Sequence, residues 1–172
     1  MTTPIPTGRR EERAGRQFIV MERRFGAPID AVWSAITEPE RLARWIGTWT
    51  GDPQTGSVDF RMLYEGEGAM VEVFTIDACE PPSRLELTST APFDGETPVE
   101  WHLVLDLVEA AGVTTLTFAQ SVPDPAMAES VGPGWEYYLD RLVAAESGGD
   151  VATIDFDDYY PSQSGHYRSE LS

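Results

Sequence analysis

The chain has 172 residues, the size of one domain with a single core, and its 41% apolar and 10% aromatic content excludes disorder throughout. No apolar run approaches the roughly 18 residues of a membrane span, and the first sixteen residues carry arginines without the apolar stretch of a secretory signal. Twelve basic residues, all arginine, face 29 acidic ones for a net charge of −17, which disfavours phosphate backbones and anionic membranes, while the lack of lysine excludes Schiff-base chemistry.

Taken in chain order, residues 1–15 are polar, with two prolines and three arginines before Arg16, and read as a mobile arm. Residues 16–25 alternate, with Ile19, Met21, Arg23 and Phe25 in phase, and predict a strand. The period then changes: Ile29, Val32, Trp33 and Ile36 form one helical stripe after Pro28. Thr37-Glu38-Pro39-Glu40 reads as a capping box opening a second short helix, with Leu42, Trp45 and Ile46 buried and Gly47 at its end.

A run of strands follows. Val58, Phe60, Met62 and Tyr64 alternate, Gly66 and Gly68 turn the chain, and residues 69–79 alternate imperfectly enough to suggest a bulge. Leu85 and Leu87 mark a fourth strand, residues 91–98 a loop, Val99 to Leu107 a fifth strand, and Leu116, Phe118 and Gln120 one face of a sixth. Asp124 and Pro125 open a helix that Gly132-Pro133-Gly134 should break or kink. Trp135, Tyr138, Leu139 and Leu142 carry its apolar stripe to about Ala145, and Ser147-Gly148-Gly149 closes it. Residues 147–172 form an acidic tail rich in aromatics, suited to docking on the parent domain or on a second subunit, which makes a homodimer an open alternative.

Consecutive strands with short turns imply an antiparallel sheet, apolar on one face, wrapped around the long C-terminal helix: an α+β fold. Three segments carry a resemblance in that order. Phe25-Gly26-Ala27-Pro28 with Val32-Trp33, Thr37-Glu38-Pro39-Glu40 with Leu42 and Trp45, and Gly134-Trp135 with Leu139 and Leu142 resemble the strand-to-helix entry, second helix and closing helix of the Bet v 1-like superfamily, also called START-like or SRPBCC. Within it, the chain is similar to proteins related to the C-terminal domain of the heat-shock protein 90 ATPase activator. The resemblance spans residues 16–146 and implies a helix-grip fold with a cavity between sheet and helix. Members bind lipids, sterols, polyketides or other apolar molecules, some catalyse cyclisation or dehydration, and no catalytic residue is common to them. The activator's other domain and its chaperone-contacting segment have no counterpart here, so a chaperone partner is not implied.

Phe60, Tyr64, Trp101 and Phe118 on the sheet, with Trp135 and Tyr138 on the helix, are expected to form an aromatic inner wall. Such a wall suits a pocket for a flat or greasy ligand as well as it suits a filled core. Tyr64 and Tyr138 would orient a ligand, and Gln120, an amide on an apolar face, would bond protein or ligand. His102 falls on the opposite face from Trp101, beyond reach of the wall. An inward Arg23 needs a carboxylate partner or an exit to water. Cys79 reads as a buried apolar residue, and its solitude excludes a disulfide framework and points to a reducing cytoplasm. The acid pairs Asp157-Asp158 and Glu65/Glu67 lack metal-ligand spacing, and no cofactor motif is present.

Three functions fit. The chain could hold a small apolar molecule between sheet and helix. It could be a cyclase or dehydratase in which Tyr64, Tyr138 or Gln120 polarises a carbonyl, a mechanism that calls for an inward titratable group with a shifted pKa. It could be an interaction protein, such as the chaperone accessory that the family's name suggests, using its acidic outer sheet face or its tail.

Overall fold

The computed structural model describes residues 3–66, 70–93 and 96–171. Glu67, Gly68, Ala69 and residues 94–95 of the expected loop lie outside them.

Eight strands form one antiparallel sheet: β1 (Arg9–Arg13), β2 (Arg16–Phe25), β3 (Gly47–Thr50), β4 (Ser57–Met62), β5 (Val71–Glu80), β6 (Arg84–Pro92), β7 (Pro98–Ala110) and β8 (Val113–Ser121). The spatial order is β1-β2-β8-β7-β6-β5-β4-β3, so the first long strand pairs with the last. Two helices, α1 (Ile29–Thr37) and α2 (Pro39–Leu42), follow β2, and α3 (Ala128–Ser147) crosses the inner face. A short helix, α4 (Ser164–Leu171), closes the described chain. This is the expected helix-grip architecture.

Period-two alternation explains the core. Ile19, Met21 and Phe25 on β2, Leu103, Leu105 and Leu107 on β7, and Leu116 and Phe118 on β8 point to the same side and pack with Leu139, Leu142 and Ala145 of α3. The other sheet face is not wholly polar: Phe18, Val20, Val104 and Ala119 make a small second core there, with the Arg13 guanidinium over the Phe18 ring.

Several local expectations need correction. The arm expected at 1–15 is, from Arg9 onward, an edge strand paired with β2 through a tight turn at Ala14-Gly15. Thr37 caps nothing: it is still inside the last turn of α1, where its hydroxyl bonds back to Trp33 O at 2.7 Å, and Glu38 precedes α2 without a side-chain cap. Gly47 does not end a helix but begins β3, an element too short to show a period. Cys79 is exposed rather than buried, near the end of β5 beyond a bulge at Asp77.

The helix expected to break at Gly132-Pro133-Gly134 runs through it. Pro133 removes the N–H that would reach the carbonyl of Glu129, and the Ser164 hydroxyl supplies the missing donor at 2.6 Å. Gly132 is required by packing, since any side chain there would collide with the ring of Tyr167. Gly148 then ends α3 in the left-handed conformation, φ 79°.

The tail packs on its own domain. Tyr159, Tyr167 and Leu171 are buried. Tyr159 donates to Asp140 at 2.7 Å, and Tyr167 donates to Glu136 of α3, which is 1% exposed. Its carboxylate accepts from Thr7 N at 2.7 Å, Gly8 N at 2.9 Å, Arg23 Nη2 at 2.7 Å and the Tyr167 hydroxyl. Arg23 also reaches Asp140 at 2.9 Å, so the inward arginine has two carboxylate partners. Burial pushes the Glu136 carboxyl up, but the Tyr167 bond, the Arg23 charge and the Thr7 amide outweigh it and hold it below the usual range.

Candidate functional site

The concave face divides into two halves. On β2 and β8 the inward side chains are buried under α3. On β4 to β6 most are only half-buried: Phe60 and Met62 of β4, Glu72, Phe74 and Ile76 of β5, and Leu87 of β6, whose inward neighbours Leu85 and Ser89 are buried. These positions alternate inward as surely as those of the core, yet no element covers them fully. The result is an aromatic and aliphatic wall open along one side.

Phe60 stands directly across from Glu72, and Phe74 lies across from Ser89, which in turn lies across from Trp101. The Phe60 and Phe74 rings meet edge to face, centroids 5.6 Å apart. From α3, Trp135 packs on Phe118 at 4.1 Å between centroids, and Tyr138 lies edge-on to Trp135 at 6.3 Å.

The wall carries an acid that periodicity alone did not single out. Glu72 lies in phase with Phe74 and Ile76, and its carboxylate accepts from the Ser89 hydroxyl at 2.7 Å. Burial holds this carboxyl above the usual carboxylate range, the Ser89 bond opposes that shift, and the neighbouring charge of Glu65 adds to it. Glu65 accepts from Tyr138 at 3.1 Å, and burial, followed by that carboxylate, pushes the Tyr138 phenol far up. Tyr138 is therefore a standing hydrogen-bond donor at neutral pH. Glu72, Ser89, Glu65 and Tyr138 form one polar patch in an otherwise apolar wall. The signal available in the sequence was the glutamate at an inward position of an impure strand.

The expected site residues do not all meet. Phe60, Trp101, Phe118, Trp135 and Tyr138 face the helix–sheet space. Gln120 faces it too, but its amide oxygen is taken by the Trp135 indole N–H at 2.5 Å. Trp101 spends its indole N–H on Ala91 O at 3.1 Å. Tyr64 departs from expectation: β4 ends at Met62, so Tyr64 leaves the strand alternation, is 42% exposed, and donates to Ala43 O at 2.5 Å. His102 is on the far face, where its Nδ1 lies 3.1 Å from the Thr88 hydroxyl and its ring meets Phe18 edge-on.

A surface depression of about 210 Å³ runs along Val73, Thr75 and Thr88–Thr90, sharing Ser89 with the wall, and one of about 350 Å³ lies beside Arg24–Ala27, Val143, Glu146 and Ser147. Among the described residues no group of three His, Cys, Asp or Glu side chains is placed to hold a metal ion, and no helix is long and apolar enough to cross a membrane.

Residues 26–146 match the family described as Activator of Hsp90 ATPase homolog 1-like protein. The chain belongs to this family. The match covers α1, α2, β3 to β8 and α3 as far as Glu146, and leaves out β1, β2 and the tail.

No curated protein matched the chain. Among solved structures, CalU16 from Micromonospora echinospora is 25% identical, with a TM-score of 0.71 and 97% of each chain covered. DynU16, described as a protein of the dynemicin biosynthetic locus, is 27% identical with a TM-score of 0.63 over 78% of this chain and 49% of its own. The conserved protein EF2215 from Enterococcus faecalis, 20% identical with a TM-score of 0.67 over 95% of this chain and 90% of its own, shares the fold.

Proposed function

We propose that this protein binds a small, largely apolar molecule along the half-open wall between β4–β7 and α3. The observation that carries the reading is the set of inward side chains, Phe60, Met62, Phe74, Ile76 and Leu87, that alternate toward the helix but stay half-buried. Apolar area left partly in water gains about 25 cal/mol per Å² when a ligand covers it. The likeness to DynU16, from a biosynthetic locus, supports a ligand of natural-product size. Packing of Tyr159, Tyr167 and Leu171 into the parent domain leaves the tail less to offer a protein partner or a second copy. A single exposed cysteine suits a reducing cytoplasm.

A second reading is a cyclase-like or dehydratase-like enzyme acting on the same ligand. The inward Glu72, hydrogen-bonded to Ser89 and with its carboxyl raised by burial, is suited to pass a proton to or from a substrate carbonyl or its α-carbon. Tyr138 would polarise that carbonyl by exchanging its Glu65 acceptor for the substrate oxygen.

Titration with a neutral apolar dye such as Nile red tests the binding reading. The expected result is saturable binding that is weakened by Phe74→Asp and left unchanged by Val108→Asp on the exposed end of β7. Equal binding by both variants, or none by the wild type, overturns it.

A further inference from the structure

Arg141 is one of the most deeply buried charges in the protein, 5% exposed. It lies on α3, one turn beyond Tyr138. Arg23, the other inward arginine, is held by two carboxylates, but no carboxylate among the described residues lies within 4.0 Å of the Arg141 nitrogens. Burying a cation without an anion is costly, and a chain with 29 acids does not lack candidates for a partner.

Its surroundings account for part of the guanidinium. Nε donates to Trp45 O at 2.9 Å, and Nη1 reaches the Tyr137 hydroxyl at 3.3 Å. The Tyr64 ring covers one face at 4.0 Å, with the Tyr137 ring at 5.3 Å. Nη2 has no protein acceptor among the described residues. Among the described residues the sealed, unpaired side-chain atoms are Gln17 Oε1, Arg41 Nε and Gln163 Oε1, and Arg141 Nη2 is not one of them. Rings on the face and a carbonyl on Nε leave the Nη edge as the free donor pair, the geometry that matches a carboxylate.

We propose that Arg141 seats the carboxylate of an amphiphilic ligand whose apolar body lies along the aromatic wall. The proposal rests on the wall being the ligand site. Six residues of helix separate Trp135 from Arg141, about 9 Å of rise, so the ligand carries its carboxylate roughly that far from the part that meets Trp135. A chain of net charge −17 repels anions as a whole, so any preference for an acid over its neutral ester must come from a local cation.

The test uses cis-parinaric acid and its methyl ester, two fluorescent probes with one apolar body, titrated at pH 8. The wild type is expected to bind the acid about 10- to 100-fold more tightly, the range of a charge-assisted hydrogen bond. Arg141→Gln is expected to abolish the difference while leaving ester binding intact, and Arg141→Lys to retain part of it. Equal or tighter ester binding by the wild type overturns the Arg141 proposal and leaves the wall reading standing. Saturation by neither probe overturns both. The wild-type comparison decides the matter even if the Arg141 variants do not fold.

Discussion

Ser164 donates its hydroxyl to the carbonyl of Glu129 at 2.6 Å, filling the position of the N–H that Pro133 lacks. A residue of the tail thus completes the hydrogen bonding of a helix more than thirty positions earlier. Helix α3 and the segment packed on it are thereby coupled.

Ser164→Ala is therefore expected to cost about 1 kcal/mol, the net worth of one hydrogen bond. In a Pro133→Ala background the helix regains its own donor, and the same substitution should cost less. Urea denaturation of the four proteins measures the coupling, and strictly additive effects would refute the compensation.

Gly132→Ala forces a methyl group into the ring of Tyr167. Overpacking of this kind costs about 1–3 kcal/mol. The release should be local at first, so limited proteolysis is expected to cut between Gly148 and Gly165 well before the sheet unfolds. Cleavage at the wild-type rate would show that the ring accommodates the methyl group.

The Glu136 cluster sets a pH dependence. Its carboxyl is held below the value of 4.5 it has when unfolded, so the stabilisation is fully present above that pH and is lost as pH falls through the folded-state value. Glu136→Gln leaves Arg23 with Asp140 alone, and breaking a buried pair this way costs about 3–5 kcal/mol near neutral pH. Denaturation at pH 7 and pH 3 should show a wide gap between wild type and variant at pH 7 and a narrower one at pH 3.

Glu72 behaves in the opposite sense. Its carboxyl is held above the usual value by burial, so stability is lost as pH rises from 4.5, the unfolded value, toward the raised one, and the cost is fully present above it. Glu72→Gln keeps an acceptor for Ser89 and removes that cost. Its melting temperature is expected to exceed the wild type at pH 7 and to match it at pH 4. A variant no more stable at pH 7 would mean that the carboxylate is adequately solvated where it stands.

The fold was legible wherever one period ran long enough. The strand at 16–25 and the stripe from Trp135 to Ala145 are found where alternation and helical spacing place them. What stayed hidden depended on distant partners. Arg9–Arg13 is a strand because β2 offers an edge, and its own composition gives no sign of it. Pro133 sits within a helix because Ser164 stands opposite. At the candidate site, Trp101 and Phe118 lie where strand alternation puts them and Trp135 and Tyr138 where helical spacing does, and Tyr64 was lost when β4 ended two residues early. Glu72 and Arg141 were overlooked because a charge on an apolar stripe looks like an interruption until its surroundings are known.

Thr7, Gly8 and Tyr167 converge on one carboxylate, Glu136. During synthesis that group emerges from the ribosome about thirty residues ahead of Tyr167. Until then the nascent chain holds an incompletely satisfied anion beneath a sheet already able to assemble, and closure around it is a late event of biogenesis.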